Sequence, residues 1–395
     1  MQNRTVLISG AGIAGPTLAY WLARHGFRPT VIERAAGLRS SGNPVDVRGG
    51  AVTVVEQMGA MPRVRAAATK VAALSFVTAT GRRAGRIAMG ALREGDGEVE
   101  IPRDDLAAIL YETSRDHAEY VFGDSIATLE QDDAGVDVTF ERAAPRRFDL
   151  VIGADGLHST VRRLVFGPEA DFVRHRGVYV ATVPIDGLAG DEREVVMYNT
   201  PGRAVAVHPG RDGHGGAAFM FRAPAVPGFD HRDLAQHRRL LAAAYAGAGW
   251  RVPEILARAL ESDELYFDSV SQVRVSPWSR GRVALLGDAA SCVSLFGDGS
   301  TLAVTGAFAL AGALAEAPAD HRAAFGRYEA GHRVLTDAKQ RAMPMTAALL
   351  IPASRPGIAV RNLATRLVPV LGAAARLRRP RTTVPAARGH GAAPR

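Results

Sequence analysis

The segment Gly10-Ala11-Gly12-Ile13-Ala14-Gly15 constrains this chain more than any other feature. It follows Thr5 to Ser9, which is apolar and β-prone, and opens Ile13 to His25, whose apolar residues keep helical spacing until Gly26. Pro29 to Glu33 reads as a second strand. Strand, turn, helix and strand thus fill about 30 residues, which implies a parallel pair with a right-handed crossover. In such a unit the glycines permit the turn, a close approach of backbone to a pyrophosphate, and helix-to-strand packing. The helix amino terminus faces the anion. Glu33 lies eighteen residues beyond Gly15, where a carboxylate accepts both hydroxyls of an adenosine ribose. That fits FAD or NAD rather than NADP, and the motif alone does not choose between the two.

Later residues make the choice. In Gly153-Ala154-Asp155-Gly156-Leu157-His158-Ser159-Thr160-Val161-Arg162 an acid ends the short apolar strand Asp149 to Gly153, before a turn and a helix. Gly287-Asp288-Ala289-Ala290 repeats the arrangement after the apolar run from Val283. Gly297-Asp298-Gly299 leads into a helix from Ser300 to Ala315, with Ser300 and Thr301 in its first turn. Three converging segments suit an extended FAD better than a nicotinamide cofactor held by one dinucleotide-binding half. Bland readings stand beside these: Asp155 and Asp288 as helix caps, and Cys292 as a packed thiol.

Arg103 to Ser114 reads as a helix with Asp104 and Asp105 in its first turn. From Phe172 to Ser276 the pattern changes to period two, in Val178 to Pro184, Val195 to Tyr198, Ala204 to His208, Ala217 to Phe221 and Leu265 to Val275, which predicts a mostly antiparallel sheet. The expected fold class is α/β: a Rossmann-like FAD-binding domain with a parallel sheet, interleaved with a mostly antiparallel-sheet substrate domain, and a helical C-terminal region. The expected boundaries are 1–74, 100–171 and 277–330 for the first and 75–99 and 172–276 for the second, with a substrate cleft between them. C-terminal helices would occupy 331–377, with Phe308 to Leu377 broken into pieces by Pro344, Pro352, Pro356 and Pro369, and 378–395 would be a disordered basic tail.

Charge narrows the partners. The net charge is +8, yet Arg355 to Arg395 contributes nine arginines and no acid, leaving −1 for the rest. A near-neutral body with a basic tail does not call for nucleic acid. Only Lys70 and Lys339 occur among 48 basic residues, and neither sits where Schiff-base chemistry, a P-loop or a Tyr-x-x-x-Lys pair needs it. One cysteine excludes an intrachain disulfide, nothing at the amino terminus reads as a signal peptide, and the expected compartment is the cytoplasm. Apolar runs such as Ala307 to Ala315 fall short of the roughly 20 residues of a membrane span, so none is expected.

Together the motifs resemble the group A flavoprotein monooxygenases, typified by para-hydroxybenzoate hydroxylase and the tetracycline-inactivating monooxygenases, over about residues 4 to 330. They are the Gly10 to Gly15 loop with Glu33 and Arg34, Val45-Asp46-Val47-Arg48-Gly49, Arg103 with Leu106, Asp155-Gly156 and Gly287-Asp288. The resemblance implies that Asp46, Arg48 and Arg103 line FAD, that Asp288 holds the ribityl and pyrophosphate region, and that Asp155 orients a segment used by FAD and NAD(P)H. It places Arg39 near the nicotinamide cofactor, and Ile126, Gly297, Gly299, Ser300 and Thr301 in the FAD-binding set. Arg48 and Arg103 could instead pair with neighbouring acids.

The reaction implied uses NADH or NADPH to reduce FAD and O2 to form a flavin C4a-hydroperoxide, which passes one oxygen atom to a hydrophobic aromatic or polyketide-like small molecule. Secondary metabolism is the expected setting. No catalytic side chain is assigned; Tyr198, His208, Phe221 and Gln272 are the substrate-side candidates on the predicted sheet. Ser291 to Gly299 lacks the proline usual after the Gly-Asp motif and carries Leu295 and Asp298 instead. An FAD-dependent oxidase or dehydrogenase without oxygen insertion is therefore the alternative.

Overall fold

A computed structural model describes residues 4–38, 44–91, 95, 97–187, 191–210, 214–293 and 298–365. Strand Thr5–Ser9 is central to the first sheet, where it pairs in parallel with Arg28–Glu33 on one side and Leu150–Gly153 on the other. Glu119–Phe122 and Val283–Leu285 extend the parallel set, and Ser279–Arg280 adds an antiparallel edge. Val6, Leu7, Ile8, Val151 and Ile152 are wholly buried, as a parallel sheet covered on both faces requires. Each such side chain contributes about 1.5–3 kcal/mol.

Helix Ala14–Arg24 forms the crossover and packs on helices Arg103–Ser114 and Gly299–Glu316. It ends in a Schellman motif: Gly26 takes φ +83°, its amide donates to Ala23, and the Phe27 amide donates to Leu22. Helix Gly299–Glu316 is long and apolar enough to cross a membrane by length and composition. Ten of its residues are buried, and it serves here as the core helix behind the dinucleotide turn.

The second large sheet runs Tyr266–Val273, Val173–Asp186, His214–Arg222, Arg203–His208, Glu194–Thr200, Ala73–Val77, Arg83–Ala88. All neighbours are antiparallel except Glu194–Thr200 with Ala73–Val77. Both faces are covered. Tyr179, Phe219 and Phe221 pack with Leu241, Tyr245 and Ile255, which lie on helices Leu234–Tyr245 and Val252–Glu261. Val178, Val180, Met197, Met220 and Val270 pack with Val293 and Leu302 beside the expected flavin segment.

One expectation fails here. Helix His321–Leu350 runs through Pro344 unbroken. The ring removes one backbone bond, but Met343 and Ala347 beside it are buried against the sheet, and their packing offsets the loss. Pro352 lies just past the helix end, residues 355–365 form another helix, and Pro356 sits in its first turn, where proline is tolerated. Pro369 and the basic tail lie outside the described residues.

Candidate active site

The three glycines of the turn have different roles. Gly10 takes φ +106°, and a Cβ there would lie 2.5 Å from the Ala154 carbonyl oxygen; a Cβ on Gly15 would lie 1.9 Å from the Gly10 oxygen. Both positions are closed by packing. Gly12 opens onto space with no atom within 4 Å of such a Cβ, which is the room a pyrophosphate needs. Ile13 and Ala14 are buried beneath the turn. The Ala11 amide donates to Glu33 Oε2 and the Ala35 amide to Oε1, each at 2.9 Å, so the carboxylate is fixed across the turn with lone pairs left for further donors.

Asp155 holds its own turn together. Its carboxylate accepts from Ser159 Oγ at 2.5 Å, Ser9 Oγ at 3.3 Å and the Val161 amide at 3.1 Å. Burial pushes its pKa up against these bonds. Ser159, not Asp155, caps helix Thr160–Val165. Arg162 of the same motif is buried and donates to the carbonyls of Leu157 at 2.6 Å and Ala289 at 3.1 Å, tying this turn to the Gly287-Asp288 turn.

The other end gathers around helix Gly299–Glu316. Ser300 Oγ and Thr301 Oγ1 donate to the Asp46 carbonyl at 2.6 and 3.2 Å, and Thr301 Oγ1 accepts the Arg48 amide at 3.1 Å. Asp46 and Arg48 form a side-chain ion pair at 2.9 Å. A Cβ on Gly299 would lie 3.8 Å from Asp288 Oδ1, so that carboxylate faces the helix start. Asp298 stands at the N-cap position but its side chain makes no cap hydrogen bond; Lys339 donates to it, and Arg48 stands 3.9 Å away.

Among the described residues, the side chains of Arg34 and Arg103 make no hydrogen bond or ion pair; Arg103 opens its helix, and Arg34 comes directly after Glu33. Ile126 is 2% exposed, its side chain committed to the core. Arg39 and Gly297, with Leu295, lie outside the described residues. The substrate-side candidates separate by face. Tyr198 and Phe221 pack in the outer cluster under the two covering helices. His208 alternates with the outward Val205 and Val207 onto the side of Ala204 and Ala206, and burial lowers its pKa to about 4. Gln272 is 1% exposed on that same inner side, and both of its amide atoms lack partners among the described residues. His208 and Gln272 stand at opposite ends of the sheet, since Gln272 faces Arg174 whereas His208 faces Gly216, opposite Pro184.

Two elements escaped the sequence reading. His158 sits between Glu169, 3.0 Å from Nδ1, and Asp268, 3.1 Å from Nε2, and stacks on His231 at 3.7 Å. Lys339 reaches Asp298 across 41 residues of sequence. The Asp155-Gly156 motif names His158 but not its partners, and no local signal marks Lys339.

The family described as FAD binding domain matches residues 3–334. The chain belongs to that family, the group A flavin-dependent monooxygenases. A flavin-dependent monooxygenase of Legionella longbeachae is 36% identical over 351 residues, covering 86% of this chain and 88% of that one. Protein Rv1260 of Mycobacterium tuberculosis is 41% identical over 333 residues, covering 83% and 89%. Among solved structures, the tetracycline destructase Tet(51) superposes with a TM-score of 0.82 at 32% identity, covering 94% of this chain and 98% of that one. As a member of this family the chain is an FAD-dependent oxidoreductase. The geometry fits the cofactor: open space over Gly12, a carboxylate at Glu33 with acceptor capacity, the Arg34 and Arg103 side chains without partners among the described residues, and a helix amino terminus at Gly299.

Proposed function

We propose that this chain is an NAD(P)H- and FAD-dependent monooxygenase that inserts one atom of O2 into a hydrophobic aromatic or polyketide-like small molecule. The observation that carries the reading is a juxtaposition: the segments suited to FAD run from Glu33 to Ser300, and next to Ser300 the apolar inner face of the second sheet packs on Val293 and Leu302. FAD, when bound and reduced by a nicotinamide cofactor, supplies the activation of oxygen. Kinship with a tetracycline destructase supports a polycyclic substrate class.

The residues divide the remaining work. Glu33 would hold the adenosine ribose, and the amides of the turn, at the positive end of helix Ala14–Arg24, would hold the pyrophosphate. Asp288 would accept ribityl hydroxyls. Amides at the start of helix Gly299–Glu316 would lie where a bound flavin's negative charge could be stabilised. Asp298 would oppose that charge, and Lys339 with Arg48 neutralises it. The apolar sheet face excludes water.

The test is incubation of the flavin-loaded protein with NADH or NADPH, isotopically labelled O2 and a panel of phenolic and polycyclic compounds. Label in a product supports oxygen insertion. Nicotinamide oxidation matched by peroxide, with no labelled product from any compound, overturns it in favour of an oxidase or dehydrogenase.

A further inference from the structure

A cleft of about 440 Å3 opens between helix His321–Leu350 and the segment from Val273 to Trp278, and Ala290 and Ser291 also line it. Its charged lining is Arg274, Arg333 and Arg341 against Asp337 alone. Arg333 is engaged: it donates to Glu329 and to the Val275 carbonyl, and its guanidinium lies 4.7 Å from the centre of the Trp278 ring. The other two are largely uncommitted. Arg341 gives only Nε to the Asp337 carbonyl at 3.2 Å, and the Arg274 guanidinium has no partner among the described residues. Trp278 is 1% exposed, and its shielded indole N–H has no acceptor among the described residues.

A guanidinium can only donate. The uncommitted charged groups of this lining are thus the solvent-exposed guanidiniums of Arg274 and Arg341, which with Arg333 leave an excess of positive charge over Asp337. Planar guanidinium forks match carboxylate and phosphate oxygens. We propose that this cleft is a binding site for a compact anion bearing a phosphate or a pair of carboxylates, separate from the FAD and substrate site. Its wall also touches the flavin end of the molecule. Gln340 donates to the carbonyls of Val273 at 2.9 Å and Cys292 at 3.2 Å, and the adjacent Lys339 holds Asp298.

The experiment is calorimetric titration of the flavin-loaded full chain with inorganic phosphate and, separately, succinate, at constant ionic strength in chloride. Saturable binding of either is expected; phosphate alone points to a phosphorylated ligand, succinate alone to a dicarboxylate. Arg274→Ala and Arg341→Ala should each weaken binding about tenfold or more, because each removes a charge-assisted pair. Asp337→Asn, which removes the one acid in the lining, should tighten it. Arg239→Ala, an exposed arginine elsewhere, should leave it unchanged. No binding of either anion overturns the proposal, and so does an Arg239→Ala loss equal to those of the two cleft variants.

Discussion

The imidazole of His158 lies 3.1 Å from the carboxylate of Asp268, which joins the turn after a strand of the parallel sheet to the edge strand of the other sheet. Glu169 approaches the second ring nitrogen, and Tyr266 donates to Asp268 at 3.3 Å. Arg162 stands 3.5 Å from Glu169, and the stacked His231, near Arg34, stays neutral with a pKa lowered to about 4, by burial first and then by the His158 charge. Burial works against a charged His158, but the hydrogen bonds and charges of Asp268 and Glu169 outweigh it and raise the pKa to about 9.

A raised folded-state pKa stabilises the protein fully below the unfolded value near 6.5 and loses that stabilisation as pH climbs through about 9. The wild type should therefore lose on the order of 3 kcal/mol or less between pH 7 and 9.5 from this group. Thermal melts of wild type and His158→Gln across that range check it: the variant should be less stable at pH 7 and lack this component of the decline. Parallel curves would remove His158 as the cause.

Gly12→Ala and Gly15→Ala should fail differently. The Gly12 position has room, so the variant should fold with a melting temperature near that of the flavin-free wild type and, if the proposed placement of the pyrophosphate over Gly12 holds, bind FAD at least ~10-fold more weakly. Gly15→Ala drives a Cβ to 1.9 Å from a backbone oxygen and should destabilise the first sheet itself by more than about 3 kcal/mol. Flavin titration of the apoproteins and their melts separate the two outcomes.

Lys339→Met should lower the flavin midpoint potential, because it leaves the Asp298 carboxylate at the helix amino terminus with Arg48 as its one cationic neighbour among the described residues. An uncompensated charge worth roughly 1 kcal/mol corresponds to about 20 mV for two electrons. Adding Asp298→Asn should return the potential toward wild type. Spectroelectrochemical titration reads this directly, and an unchanged potential in Lys339→Met would dismiss the neutralising role.

Gln272→Leu should separate stability from function. The buried amide has no partner among the described residues, so an apolar replacement should stabilise the flavin-free protein by about 1–3 kcal/mol while raising KM or weakening FAD binding. Tyr198→Phe, on the opposite face, should leave KM unchanged. A destabilised Gln272→Leu variant would mean that the amide is satisfied after all.

Much of the frame was legible because its signals are local. Thr5–Ser9 and helix Arg103–Ser114 have the expected bounds, and the glycine turn is dictated by backbone sterics. Period two located the strands of the second sheet but not their facing: with apolar layers on both sides, Phe221 and Met220 are equally plausible as inward residues, and only the covering helices decide. Arg48 meets Asp46 as adjacency suggests, whereas Lys339 with Asp298 and His158 with Asp268 join distant segments through tertiary packing. Pro344 misled because a proline's local cost says nothing of the burial around it.

Helix His321–Leu350 meets a different segment at nearly every turn: Lys339 takes Asp298, Gln340 takes Val273 and Cys292, the Ala347 carbonyl accepts from Arg222, and the Leu350 carbonyl from Asn199. Each residue added to a helix rotates the remainder of that helix by about 100°. One insertion or deletion after Arg333 would thus turn all of these contacts away together, while a substitution on the exposed side at Val334 or Met345 disturbs none. In divergence this stretch can change its letters but not its length.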